Sequence, residues 1–236
     1  WSQRDNSQNM VWRPFYFANL IVDPTNPDRL FKPDLTLIQS TDGGKTFSEV
    51  GGGAHGDFHD VWIDPTDPKY VIVGDDGGLW YSHDGGNKWW KAANLPISQF
   101  YHVSVDNDDP YHVYGGLQDN SDWVGDSEYP GGITNSRWEN MFGGDGFWMF
   151  ADPSDRNYLY AESQGGFVAR INRHTHQMQL IQPQAGYKEK LRYNWNTPIA
   201  LSPHDPNALY IGAQFLFKSD DHGKTWQRIS PDLTTN

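Results

Sequence analysis

Three patterns in the chain carry groups able to do chemistry. The densest is His55-Gly-Asp57-Phe-His59-Asp60. In an extended strand residues 55, 57 and 59 fall on one side. Two imidazoles and one carboxylate suit a transition metal, so zinc-like binding is expected at His55, Asp57 and His59. The Asp-rich turns admit calcium. The second pattern is the pair Asp57 and Asp145, each beside a Gly-rich turn. Two carboxyls about 5–9.5 Å apart hydrolyse glycosidic bonds, one as acid and one as nucleophile or base. The competing expectation is that each bonds backbone amides, at Gly51–Gly53 and at Gly143–Gly146. The third is an octapeptide, "STDGGKTF" (40–47), which returns as "SHDGGNKW" (82–89) and "SDDHGKTW" (219–226).

The recurrence of the octapeptide argues for scaffolding. Its Asp can accept N–H groups of its own turn. Its Gly supplies a positive φ, and its aromatic can bury itself between sheets. Asp42, Asp84 and Asp221 are therefore expected to be structural. Asn172 takes the Asp place in a decayed copy, "RINRHTHQ" (170–177). A longer loop, "DSEYPGGITNS" (126–136), replaces another copy.

A second signature sets the elements that position these groups. An alternating apolar run ending in Asp-Pro or a variant appears in "LIVDPTNPDRL", "VWIDPTDPKYV", "VSVDNDDPYHV", "MFADPSDRNYL" and "ALSPHDPNAL". The spacing is about 40–50 residues, the repeat length of β-propeller blades. Each unit reads as four short antiparallel strands joined by Gly/Asp turns. The fold expected is all-β: five repeats, about 14–50, 55–94, 97–142, 145–185 and 193–231, in one propeller region spanning 1–236. Five repeats can close as a small propeller; the start at Trp1 and the end just past a fourth strand favour a segment of a larger one, with the remaining blades or another protein subunit expected as partners.

Composition excludes several classes. Net charge is −12 with no Lys/Arg cluster, which argues against nucleic acid and anionic membrane surfaces. The chain has no cysteine, so disulfides and thiolate sites are absent. No apolar run is long enough to insert in a membrane. No nucleophile elbow, phosphate loop or dinucleotide fingerprint is present, and no organic cofactor is implied.

Ser-x-Asp-x-Gly-x-x-Trp/Phe resembles the Asp-box, or bacterial neuraminidase repeat, of sialidases, xyloglucanases and sortilin-type propellers. With "HGDFHDVWIDP", "YGGLQDNSDW", "GGDGFWMFADP", "YAESQGG" and "FKSDDHGKTWQRISPDLTTN", the chain resembles the bacterial sortilin-like repeat proteins, often labelled glycosyl hydrolase or sialidase-like. That resemblance implies an extracytoplasmic setting. The scattered arginines do not match the three-arginine cluster of true sialidases. With the four strands of each unit labelled A to D in chain order, the boxes of a propeller, its C–D turns, lie on one face, and the D–A connections and B–C hairpins lie on the other. Ligand-binding groups are thus expected before each Asp-Pro and in the B–C hairpins. Seven residues before stand Tyr16, Asp57, Gln99, Asp145 and Trp195. Five before stand Ala18, His59, Tyr101, Phe147 and Thr197. The hairpins add Asp75, Asp76, Gln118, Asp119, Asn120, Glu162, Ser163, Gln164 and Gln214. The function expected is a non-catalytic binding or assembly module presenting this polar-aromatic face to a protein, peptide or glycan. The alternative is a glycoside hydrolase using Asp57 and Asp145.

Overall fold

The computed structural model describes residues 2–14, 17, 19–95, 97–184 and 189–235. Tyr16 and Ala18 lie outside them. The chain is all-β and built of β-propeller blades, five four-stranded antiparallel sheets. Blade 1 comprises β1 (Ile21–Asp23), β2 (Asn26–Lys32), β3 (Ile38–Ser40) and β4 (Ser48–Glu49). Blade 2 comprises β5 (Phe58–Ile63), β6 (Val71–Asp75), β7 (Gly78–Ser82) and β8 (Trp90–Lys91). Blade 3 comprises β9 (Phe100–Val105), β10 (His112–Leu117), β11 (Asp122–Asp126) and β12 (Trp138–Phe142). Blade 4 comprises β13 (Gly146–Ala151), β14 (Tyr158–Ser163), β15 (Phe167–Asn172) and β16 (Met178–Leu180). Blade 5 comprises β17 (Ile199–Leu201), β18 (Leu209–Gly212), β19 (Leu216–Ser219) and β20 (Gln227–Arg228). In every blade neighbours in sequence are neighbours in the sheet. Short turns favour this order, as where Asp75 pairs with Gly78 across Asp76-Gly77.

Two compact units result, one up to Ile97 and one from Ser98. In the first, Phe31, Leu37, Phe58, Val61, Ile63, Val71 and Val73 pack the two blades together. In the second, one cluster joins blades 3 and 4 through Tyr114, Val124, Met149 and Ile171. Another joins blades 4 and 5 through Tyr160, Val168, Ile199, Ile211 and Phe217. Blade 3 meets blade 4 backbone to backbone: a Cβ on Gly116 would stand 2.0 Å from the Gly146 carbonyl carbon.

The octapeptides form the third turn of blades 1, 2 and 5. Asp42 Oδ1 accepts the N–H groups of Lys45 (3.0 Å) and Thr46 (2.9 Å), and Ser40 Oγ accepts the Gly44 N–H (2.9 Å). Asp84 repeats this with Asn87 and Lys88, and Asp221 with Thr225. Position four is left-handed in all three copies, at Gly43 (φ 72°), Gly85 (φ 80°) and His222 (φ 62°). A histidine is tolerated there because its ring is used: Nδ1 lies 3.0 Å from the Tyr160 hydroxyl of blade 4. The box indoles tie blades together. Trp89 Nε1 donates to Val50 O, and Trp226 Nε1 donates to Ile181 O, both at 2.6 Å. In the decayed copy Asn172 Oδ1 accepts the N–H groups of His174 and Thr175.

Candidate functional site

In the first unit the side chains before β5 form one polar cluster. Arg13 pairs with Asp57 at 3.2 Å, and its guanidinium lies over the Phe17 ring. His59 Nε2 bonds Asp76 Oδ1, and the Phe17 and His59 rings are 5.2 Å apart. The B–C hairpin supplies Asp76. Asp75 beneath it is structural, accepting the N–H groups of His55 (2.9 Å) and Gly77 (2.9 Å) and the Trp80 indole (3.1 Å). Burial lifts the Asp57 carboxyl above its ordinary range; Arg13 opposes this and Asp76 adds to it.

The alternation assumed for residues 55, 57 and 59 does not hold. The strand starts at Phe58, Asp57 takes a left-handed φ of 52°, and a bulge falls between Phe58 and Asp60. Such a bulge shifts the side-chain alternation before it. Among the described residues, ligand atoms gather within 4.8 Å of one another at Asp106, Asp108 and His112 instead. There the Asp106 carboxylate already accepts from His112 and from the Tyr114 hydroxyl.

In the second unit the hairpin residues are largely engaged with main chain. Asp145 is 8% exposed and accepts the Asp119 N–H at 2.7 Å. Its own N–H donates to Gln164 Oε1 at 2.8 Å. Gln118 donates its N–H to Gln99 O, Asn120 Nδ2 donates to Gln118 O, and Asn120 O accepts the Trp123 indole. Gln214 holds the chain before blade 5, accepting the Arg192 N–H and donating to Lys190 O. Glu162 is fully buried and accepts the Thr197 N–H at 3.2 Å. Burial pushes its pKa to about 8, against the Thr197 and Trp148 N–H groups. Asp122, not singled out from the sequence, is also fully buried; burial, then the charge of Glu162, push it to about 9.

What remains open to solvent is aromatic and amide in character. The Trp195 ring is 57% exposed, and its carbonyl accepts the Gly165 N–H of the B–C hairpin in blade 4. His102 of β9 stacks on Trp148 of β13, with centroids 3.5 Å apart and planes 7° apart. Asn196 Nδ2 donates to His102 Nε2 at 3.0 Å, so three blades meet at this imidazole. Tyr101 packs on Phe147 at 4.3 Å. His102 and Trp148 each lie four residues before the Asp-Pro position, one step from the places picked out above. The signal was present in the repeat register. Irregularities in each strand, between Phe100 and His102 and between Gly146 and Met149, interrupt the strict alternation there.

No family model matches the chain, and no curated protein matches it. Among solved structures it is similar to the GH74 xyloglucanase from Xanthomonas campestris, at 20% identity and a TM-score of 0.40, over 94% of this chain and 39% of that one. It is similar to a GH74 enzyme from Niastella koreensis, at 19% and 0.41, over 89% and 37%. It is also similar to YCF48 bound to D1 peptide, at 16% and 0.41, over 85% and 64%. The chain thus spans about two fifths of the length of either GH74 protein and under two thirds of the peptide-bound one.

Proposed function

We propose that the chain is a non-catalytic, extracytoplasmic module of Asp-box propeller blades that presents a polar-aromatic face to a peptide, protein or glycan. The observation that carries this reading is the division of labour in the second unit. Asp145 and Glu162 each hold a backbone N–H, whereas Trp195, His102, Trp148 and Asn196 present rings and an amide. Aromatic faces stack on sugar rings and on peptide side chains, and amides match hydroxyl and peptide groups. The extracytoplasmic setting rests on the sequence's resemblance to bacterial sortilin-like repeat proteins. No helix among the described residues is long and apolar enough to cross a membrane.

Screening wild type on glycan and peptide arrays tests the reading. Trp195→Ala and His102→Ala are expected to weaken the captured ligand by about tenfold each, the cost of losing one stacking anchor. Binding unchanged in both variants would sink it. The second reading, a glycoside hydrolase using Asp57 and Asp145, draws support from Asp57 alone. Its raised carboxyl has the character of a general acid. Polysaccharide hydrolysis by wild type that disappears in Asp57→Asn would favour that reading over the first.

A further inference from the structure

We propose that Asp122 and Glu162 form the core of a hard-cation site, of the calcium class, buried between blades 3 and 4. Both side chains are 0% exposed. Among the described residues, neither carboxylate oxygen of Asp122 has a hydrogen-bond partner, and neither does Glu162 Oε2. No lysine, arginine or histidine is paired with either residue among the described residues. Burying two such acids with three unengaged oxygens is unfavourable unless something neutralises them.

The two side chains converge on one feature, the bulge that opens β13. Glu162 accepts the N–H of Trp148 from that bulge. A Cβ placed on Gly146, at its start, would stand 2.8 Å from Asp122 Oδ1 and 2.3 Å from Ser121 O. A carboxylate oxygen and a main-chain carbonyl thus both lie close against Gly146, and that carbonyl also accepts the Leu117 N–H at 2.9 Å. Ser121 is itself held in a left-handed conformation, φ 73°. The donors are all oxygen, with no sulfur or imidazole. Such a set suits calcium rather than zinc. Burial raises both acids, so an arriving cation displaces protons that the pair otherwise holds.

The full chain, freed of metal with a chelator, is titrated with Ca2+ and separately with Tb3+. Terbium emission excited through tryptophan reports a site beside Trp123 and Trp148. Ca2+ at a hundredfold excess over its Kd is expected to raise the unfolding temperature by about 5 °C. Tb3+ emission is expected to rise along a one-site curve that Ca2+ reverses. Asp122→Asn and Glu162→Gln are expected to abolish both responses, and Asp108→Asn, in the Asp106 cluster, to leave them intact. Should the first two variants fail to fold, hydrogen exchange at the Trp148 and Thr197 amides of wild type gives an independent readout, slowing when Ca2+ is added. No Ca2+ response in wild type, or one that Asp122→Asn retains, overturns the proposal and leaves the pair as buried neutral acids.

Discussion

Trp89 and Trp226 show how a single ring nitrogen ties two blades. Each indole N–H ends on the carbonyl that closes the preceding sheet, at Val50 and at Ile181. Phe47 holds the same box position in blade 1 and has no such donor. Trp226→Phe keeps most of the buried ring and removes the hydrogen bond, so about 1 kcal/mol of stability should be lost. Urea unfolding measures it, and an unchanged midpoint would assign the box aromatic to packing alone. The box aspartates set an acid limit. The Thr46 hydroxyl and N–H hold Asp42 far below its ordinary range, and the Lys88 N–H leads the lowering of Asp84. Depressed carboxyls add stability that is present above about pH 4, the unfolded value, and is lost as pH falls toward the folded values. Asp42→Asn with Asp84→Asn should therefore flatten the acid side of the stability profile. A profile as steep as wild type would count against this. These roles were legible in the sequence because the octapeptide recurs and each residue type has one local task. The tie from His222 to Tyr160 was not legible, since it joins residues brought together only by blade packing.

At the scale of elements, strand boundaries follow Gly/Asp turns and Asp-Pro stops, as in blade 2, where β5 ends at Ile63 before Asp64-Pro65. The bulges were hidden. Those at Phe58/Asp60 and Gly146/Met149 change which residues of the inner strand face outward. A bulge adds one residue to one strand, and no residue type announces it. His102 and Trp148 stand one place from residues chosen on strict alternation, while Trp195, chosen on the same basis, is 57% exposed. Buried backbone contact between elements is equally silent in sequence. Gly116 of β10 meets Gly146 and Phe147 of β13 so closely that a Cβ would stand 2.0 to 2.2 Å from their main-chain atoms. Main chain cannot yield as a side-chain tip does. Gly116→Ala should cost about 3 kcal/mol or more, unlike the usual overpacking of a pliable core. The control is Gly131→Ser, at a position where an added Cβ meets nothing, although its φ of 91° exacts a smaller strain. Equal losses in the two variants would refute the tight crossing of β10 and β13.

At the scale of the whole chain, the repeat spacing made five blades countable, because an alternating apolar run ending in Asp-Pro or a variant recurs in each of them, even where the octapeptide is decayed or replaced. The grouping of those blades into two compact units was not visible, since the repeats continue across Ile97 and Ser98 without a break in pattern. The connecting stretch has a physical signature in the structure. Ala93–Leu95, Ile97 and Ser98 lie outside every strand, and no hydrogen bond or ring contact holds them among the described residues. Ile97 is 70% exposed. A rival target exists in the long loop of blade 3, where residues 128–136 are also exposed. That loop is braced: Arg137 pairs with Asp126 and lies 3.8 Å from the Tyr129 ring centroid, and Gly132 donates its N–H to Tyr129 O. Proteolysis under native conditions selects segments that open without breaking packed structure. Brief thermolysin treatment, which cuts on the N-terminal side of large apolar residues, should therefore cut first before Leu95 or Ile97, leaving initial products of 94 and 142 or of 96 and 140 residues. Mass spectrometry of the earliest fragments decides the matter. A first cut at Ile133 would mean that the braces on the blade 3 loop are weaker than the unbonded stretch between the units.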